Sequence, residues 1–408
     1  MTKSVVIAGA GQAAAWVART LRSEGYVGRI VMCGAEHEPP YERPPLSKEQ
    51  LVSGAPDMPY LIRHDEFPEL SVEWKPATSV EQIDRAAKAV VLSNAEQISY
   101  DALVIATGGR AHLPPVPGFD LDCVHTLRTL DDARRLRASI KEGRRVLVVG
   151  GGWIGLEVAA TARQAGASVV LAEMAPSLCA RSESPFLSSY LHALHVANGV
   201  DLRLDTRVVR LTDSGDGGCM AQFNDGSQLK ADLVVVGAGL IPNDEIAVDA
   251  GLHCDRGVLV DAAGQSSDPS IYAAGDVAVL CTPDGGKLRL ESWQNAQDQG
   301  IAVGLSLLGK QVPYMPQPFF WSSQYDALIQ MAGTAQAATT WVTRPGQENQ
   351  QIHIGLDDAD RAVYAMCINA PRDLRMLRRF IADAKPLDRQ RVADAAVPMA
   401  KVALAQLG

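Results

Sequence analysis

Cysteine is sparse and poorly placed for chemistry of its own. The seven residues Cys33, Cys123, Cys179, Cys219, Cys254, Cys281 and Cys367 lie scattered, with no pair at C-x-x-C spacing, so neither a metal site nor a redox dithiol can be read from them. Long apolar runs are missing too: nothing approaches the ~18 uninterrupted apolar residues that a spanning helix needs. Met1-Thr2-Lys3 leads straight into an apolar strand pattern and not into a secretory leader. The expectation is a soluble, cytoplasmic protein without a membrane partner. Basic residues are in the minority, 38 Lys and Arg against 47 Asp and Glu for a net charge of −9, which argues against nucleic acid as a partner. What is present is 408 residues, 47% of them hydrophobic, enough for about two or three domains with cores of their own.

The chain carries one unit twice. Val5-Val6-Ile7 runs into Gly9-Ala10-Gly11-Gln12-Ala13-Ala14, then a helix-compatible stretch to about Glu24, then Ile30-Val31-Met32-Cys33. Val146-Leu147-Val148-Val149 runs into Gly150-Gly151-Gly152-Trp153-Ile154-Gly155, then a helical pattern through Ala165, then Ser168-Val169-Val170-Leu171-Ala172-Glu173. Each is a strand, a glycine turn, a helix and a second strand. A later element repeats as well, since Asp101-Ala102-Leu103-Val104-Ile105-Ala106-Thr107-Gly108 and Asp232-Leu233-Val234-Val235-Val236-Gly237-Ala238-Gly239 both read as buried strands ending in glycine. Repetition on this scale decides architecture and implies two nucleotide-binding domains of similar build.

Boundaries follow from turn residues. Leu113-Pro114-Pro115-Val116-Pro117-Gly118 marks the exit from the first lobe and Ile241-Pro242-Asn243 the exit from the second. Ile271-Tyr272-Ala273-Ala274-Gly275-Asp276 is another strand ending in glycine, so the chain is expected to return to the first lobe. The expected fold is α/β: a discontinuous domain of residues 1–112 and 241–318, a domain of residues 113–240 inserted in it, both Rossmann-like, and a C-terminal α+β domain of residues 319–408.

A G-x-G-x-x-G/A turn lets backbone approach a pyrophosphate, and the following helix offers free N–H groups and the positive end of its dipole. Gly9, Gly11 and Ala14 form one copy, and Gly150, Gly152 and Gly155 the other. Each lies between a strand and a helix, the context that confirms the motif, and two copies imply two dinucleotides. An acidic residue at the end of the next strand can accept hydrogen bonds from ribose hydroxyls. Glu173 stands 23 positions after Gly150 and is followed by Met174-Ala175-Pro176, with no arginine to hold a 2′-phosphate; the second lobe is expected to prefer NADH. The first lobe puts Ala35 or Glu36 in the corresponding place, and spacing leaves open whether its loop holds a flavin or a nicotinamide.

The order of motifs narrows this. The two glycine loops, Ala106-Thr107-Gly108-Gly109 and Tyr272-Ala273-Ala274-Gly275-Asp276 together resemble the FAD-dependent pyridine nucleotide-disulfide oxidoreductase superfamily. Pro40-Tyr41-Glu42-Arg43-Pro44-Pro45-Leu46-Ser47-Lys48, Leu127-Arg128-Thr129-Leu130, Glu291-Ser292-Trp293-Gln294-Asn295-Ala296 and Trp321-Ser322-Ser323-Gln324-Tyr325-Asp326 resemble, within it, the ferredoxin reductases of bacterial oxygenase systems. The resemblance implies FAD on the first loop, with Gly9, Gly11, Ala13 and Ala14 at its pyrophosphate, Ala35 and Glu36 near the adenosine ribose, and Val80 and Arg128 by the adenine. It also implies Arg43, Ala106, Thr107, Gly108, Gly275 and Asp276 along the FAD cleft, and Trp293 opening a helix toward the flavin. For NADH it implies Gly150, Gly152, Ile154, Gly155, Glu173, Ala238 and Gly239, with Glu291 and Trp321 near the nicotinamide. Lys48 and Glu157 are then the catalytic pair, the lysine stabilising negative charge on reduced flavin and the carboxylate positioning it.

Disulfide reductases of that superfamily carry two cysteines after the first nucleotide unit, and peroxide-reducing relatives carry one. Here Tyr41-Glu42-Arg43-Pro44-Pro45-Leu46-Ser47-Lys48-Glu49 has no sulfur, and Cys33 lies too early. A flavin without a neighbouring thiol passes electrons outward, which fits a one-electron [2Fe–2S] ferredoxin feeding a cytochrome P450 or a Rieske dioxygenase. Rubredoxin reductase, NADH oxidase and an NADH-sensing flavoprotein resembling apoptosis-inducing factor stay open as alternatives. Arg372, Arg375, Arg378 and Arg379 recur at helical spacing and are expected to form a basic docking face.

Overall fold

The computed structural model describes residues 3–310 and 313–404. The chain forms two compact units: one of residues 1–44, 57–110 and 240–316, the other of residues 45–56, 111–239 and 317–408.

In the first unit a five-stranded sheet has the order Ile271–Ala273, Ala102–Ile105, Ser4–Ala8, Arg29–Cys33, Val72–Lys75, with all neighbours parallel. Parallel strands buried on both faces need continuous apolar runs, and Val5, Val6 and Ile7 are fully buried, as are Leu103, Val104 and Ile105. Each such side chain contributes roughly 1.5–3 kcal/mol by leaving water. The helix Gln12–Ser23 covers one face and packs on the helix Trp293–Leu307. A Cβ added to Gly300 would lie 2.6 Å from the Ala13 carbonyl oxygen, so glycine at that position is what lets the two helices approach.

The second unit contains the echo of that sheet, in the order Asp201–Arg203, Ser168–Ala172, Arg145–Val149, Leu233–Val236, Val124–Thr126, again all parallel. The repetition extends to single hydrogen bonds. Gly9 N–H donates to Cys33 O and Gly150 N–H to Ala172 O, both at 2.8 Å. Asp101 accepts from the backbone of Ser4 and Asp232 from that of Arg145, at 2.8 and 2.9 Å. Between Gly9 and Gly150 and their following helices, the turn therefore leaves the sheet in the same way twice.

The second unit also holds an antiparallel sheet in the order Phe319–Gln324, Ala327–Gly333, Ala362–Ile368, Gln351–Leu356, Thr340–Pro345. The helix Pro371–Ala382 closes it by burying Leu374, Leu377 and Phe380 at i, i+3 and i+6. Among the described residues no helix is long and apolar enough to cross a membrane.

Candidate functional site

The first glycine loop is shaped for an anion. Gly9 has φ +120° and a Cβ there would lie 2.1 Å from the Ala106 carbonyl oxygen, so the strand can turn only with glycine. A Cβ on Gly11 would meet nothing within 4 Å, leaving open space before the helix. The first turn of that helix has no side-chain cap and no acidic residue, which keeps its N–H groups available. Gln12 is part-buried, and both atoms of its side-chain amide are buried without a protein partner, at a cost that a bound polar group would offset. Ala14 is fully buried and Ala13 nearly so; Gly275, at φ +80°, would bring a Cβ to 3.1 Å from Ala13 Cβ. These residues fit a dinucleotide pyrophosphate.

The other sequence-derived residues of this unit group as follows. Glu36 accepts from Tyr41 Oη at 2.6 Å and from Arg43 Nη2 at 2.8 Å, while Ala35 is exposed. Burial acts to lower the Arg43 pKa, but Tyr41, Glu36 and Asp276 raise it above the ordinary guanidinium value. Thr107 Oγ1 donates to Asn243 O at 2.7 Å, and Asn243 Nδ2 returns a bond to Thr107 O at 3.1 Å; Ala106 is buried and Gly108 has φ +62°. Val80 starts a separate three-stranded sheet and is buried. Trp293 is the first residue of its helix, whose N-cap Ser292 accepts from Asn295 N. Glu291 pairs with Arg289 at 2.7 Å.

In the second unit Gly150 has φ +108°, and a Cβ would lie 2.5 Å from Gly237 O; one on Gly155 would lie 2.1 Å from Gly150 O. The third glycine of the motif therefore lets helix and loop close. Gly152, like Gly11, has nothing within 4 Å and begins a helix, Trp153–Gln164, with no side-chain cap. Glu173 accepts from Gly151 N–H at 2.5 Å and from Ala175 N–H at 2.7 Å, so it braces the loop from behind. These residues fit a second dinucleotide. Ile154 is 44% exposed on the first turn, Gly237 and Ala238 follow the end of the strand Leu233–Val236, and Gly239 takes φ +111°. Arg128 precedes the capping box of the helix Leu130–Ser139, its N–H bonded to Asp132 at 3.0 Å. Trp321 stacks on Phe319 with centroids 5.8 Å apart.

Lys48 and Glu157 meet within this unit. Lys48 Nζ lies 2.7 Å from Glu157 Oε2, with the two side chains 16% and 5% exposed. The residues preceding Lys48 form a short 3-10 turn, Pro44–Ser47. The helix Trp153–Gln164 is buried continuously from Gly155 to Ala162, so Glu157 faces protein. One turn on, Thr161 Oγ1 donates to Ser47 O at 2.9 Å, and both residues of the helix hold the Ser47-Lys48 segment. Ser47 Oγ also donates to Glu157 Oε2, and Ser322 Oγ to Oε1 at 2.5 Å. An ion pair this buried contributes little net stability, yet removing one partner costs roughly 3–5 kcal/mol.

Several members of this cluster carry no role in the sequence reading: Ser47, Ser322, Gln324, His195 and Tyr325. A signal existed for some. Ser322 and Gln324 are two apart on a strand, which places both on one face, and they are 0% and 1% exposed. His195 follows Leu187 and Leu191 at four-residue steps on the buried stripe of the helix Leu187–Ala197.

Residues 3–300 match the model of the pyridine nucleotide-disulphide oxidoreductase family and residues 319–403 the reductase C-terminal family. The 3-phenylpropionate/cinnamic acid dioxygenase ferredoxin–NAD(+) reductase component of Photorhabdus laumondii is 37% identical, over 93% of this chain and 96% of its own length. The ferredoxin reductase for the CYP199A2 system from Rhodopseudomonas palustris superposes with a TM-score of 0.93 at 36% identity, covering 98% of this chain and 99% of that one. Putidaredoxin reductase, in its covalent complex with putidaredoxin, gives 0.92 at 34% identity over 97% of both chains. The chain therefore belongs to the pyridine nucleotide-disulphide oxidoreductase family.

Proposed function

We propose that the chain is an NADH-dependent ferredoxin reductase, taking a hydride from NADH onto FAD and passing single electrons to a [2Fe–2S] ferredoxin that serves a cytochrome P450 or a Rieske dioxygenase. The observation that carries this is the buried Lys48–Glu157 pair, joined to a segment that has no cysteine where thiol-using members of the family place theirs. The named oxygenase-system relatives support the choice of acceptor.

FAD supplies the hydride acceptor and a store from which electrons leave singly. The residues that would hold it are the Gly9–Ala14 turn at the pyrophosphate, Glu36 and Arg43 near the adenosine end, and Asp276 and Trp293 further along; these belong to the domain read as residues 1–112 and 241–318. NADH would be held in residues 113–240, its pyrophosphate at Gly150–Gly155 and its ribose by Glu173. Lys48 brings a positive charge that favours negative charge on its neighbour, and Glu157 fixes the ammonium in place. Trp153 and Phe320, with ring centroids 4.6 Å apart, hold the helix of Glu157 against the strand of Ser322. A cytoplasmic location is part of the same proposal.

The test is NADH-driven reduction of a [2Fe–2S] ferredoxin, followed by its visible bleaching under argon. Fast bleaching with slow oxygen consumption in air supports the reading. Rapid oxygen reduction with no ferredoxin bleaching would replace it with an NADH oxidase.

A further inference from the structure

Behind the Lys48–Glu157 pair runs a line of buried polar side chains that the reaction described above does not use. Gln324 Nε2 donates to Ser322 Oγ at 3.0 Å, His195 Nε2 lies 2.8 Å from Gln324 Oε1, and Tyr325 Oη lies 3.3 Å from His195 Nδ1. His195 and Ser322 are 0% exposed and Gln324 1%. Polar side chains as fully buried as these three carry a high desolvation cost unless each is paired, and here each link is made, the part-buried Tyr325 closing the line at its far end.

The direction of each link follows from the carboxylate at its end. Glu157 accepts from Lys48 and Ser47 on one oxygen and from Ser322 on the other. Because Ser322 spends its proton on Glu157, its oxygen must accept from Gln324, and this fixes the amide with Nε2 toward the serine. Gln324 Oε1 then needs a donor, so His195 carries its proton on Nε2. Nδ1 is left as an acceptor and takes the proton of the Tyr325 hydroxyl. Every donor points the same way, from Tyr325 to Glu157.

We infer that Gln324 and His195 are positioning residues, holding Ser322 as an obligate donor to Glu157 and, through that carboxylate, fixing the ammonium of Lys48. Other groups support a neutral ring. Burial is the largest influence on His195 and lowers its pKa, outweighing the bond it donates to Gln324. Tyr325 is raised to about 12 by burial, although Arg163 acts to lower it, so its hydroxyl keeps the proton it donates. A protonated His195 would place a donor on Nδ1 facing the Tyr325 hydroxyl and break the sequence of links. The inference rests on the proposed role of the Lys48–Glu157 pair.

The test combines a spectroscopic and a kinetic readout on the holoenzyme. Nitrogen NMR of histidine-labelled protein, with His195 assigned by its loss in His195→Gln, should show a protonated Nε2 and an unprotonated Nδ1; a proton on Nδ1 reverses the chain and overturns the inference. Rapid-mixing rates of flavin reduction by NADH should fall by about tenfold in Gln324→Met, the scale of a lost hydrogen bond that orders a charged group, with NAD(+) affinity unchanged. In a Glu157→Gln background the same change should have no further effect, because the chain acts only through that carboxylate. Independent, multiplying losses would show a purely structural role and overturn it. Gln324→Glu, which keeps the length but replaces the donating amide, should not rescue the rate, and full rescue would contradict the assigned direction. A wild-type rate in Glu157→Gln itself would instead sink the underlying reading of the pair.

Discussion

Glu173 accepts a 2.5 Å hydrogen bond from the backbone N–H of Gly151, tying the end of one strand to the middle of the glycine turn that leaves its neighbour. The carboxylate therefore supports the loop from the protein side as well as standing where a ribose hydroxyl would be recognised. Hydrogen bonds to a charged group contribute about 1.5–3 kcal/mol. Glu173→Ala is expected to raise the Michaelis constant for NADH by about tenfold or more while FAD content, read from the visible absorbance, stays complete. Equal loss of both would contradict the assignment of one loop to each dinucleotide.

Gly152 and Gly155 should respond to alanine in different ways. A methyl on Gly155 would fall 2.1 Å from Gly150 O, whereas one on Gly152 meets nothing within 4 Å. Gly155→Ala is expected to lower stability by roughly 1–3 kcal/mol through forced backbone movement, visible as a drop in Tm. Gly152→Ala should leave Tm near wild type yet weaken NADH binding, because its methyl projects where the pyrophosphate would lie. Identical behaviour of the two variants would count against that difference in space.

Stability should fall on mild acidification. Burial lowers the pKa of His125, His195 and His353 below the ordinary histidine value of 6.5. Below that value the unfolded chain binds protons that the folded chain resists, so stability is complete above pH 6.5 and is lost as pH falls through the folded pKa values. Urea midpoints should decline as pH drops, and His195→Gln should flatten the decline. A midpoint that rose on acidification would contradict the sign.

Much of this was legible in the sequence because it depends on local patterning. The apolar runs, both glycine turns and Asp101 and Asp232 are repeated motifs, and the structure gives each copy the same hydrogen bonds. The basic helix was legible only in part. Pro371–Ala382 is helical, with Arg372, Arg375 and Arg379 exposed, but Arg378 lies over the Phe319 ring at 4.1 Å, an arrangement set by tertiary packing. The chain from Glu157 to Tyr325 joins positions more than a hundred residues apart, and no spacing rule reaches that far. The sequence alone puts Glu36 near a ribose, and its bonds to Tyr41 and Arg43 likewise depend on where the intervening turn folds back.

The two kinds of arginine on that helix should separate by experiment. Arg375→Glu is expected to slow ferredoxin reduction and flatten its ionic-strength dependence, since exposed charges steer encounter, while flavin reduction by NADH is unchanged. Arg378→Glu should in addition lower Tm, because it removes a cation from an aromatic face, a contact worth about 0.5–2 kcal/mol. A ferredoxin rate insensitive to salt and to both reversals would remove this helix from the docking surface.

The most direct measurement is an anaerobic titration of the purified protein with NADH, following the visible spectrum and the free-thiol content together. A yellow chromophore that bleaches with one equivalent of NADH, with the thiol count unchanged, is the predicted result. Colourless protein, or bleaching accompanied by a gain of two thiols, would contradict the account.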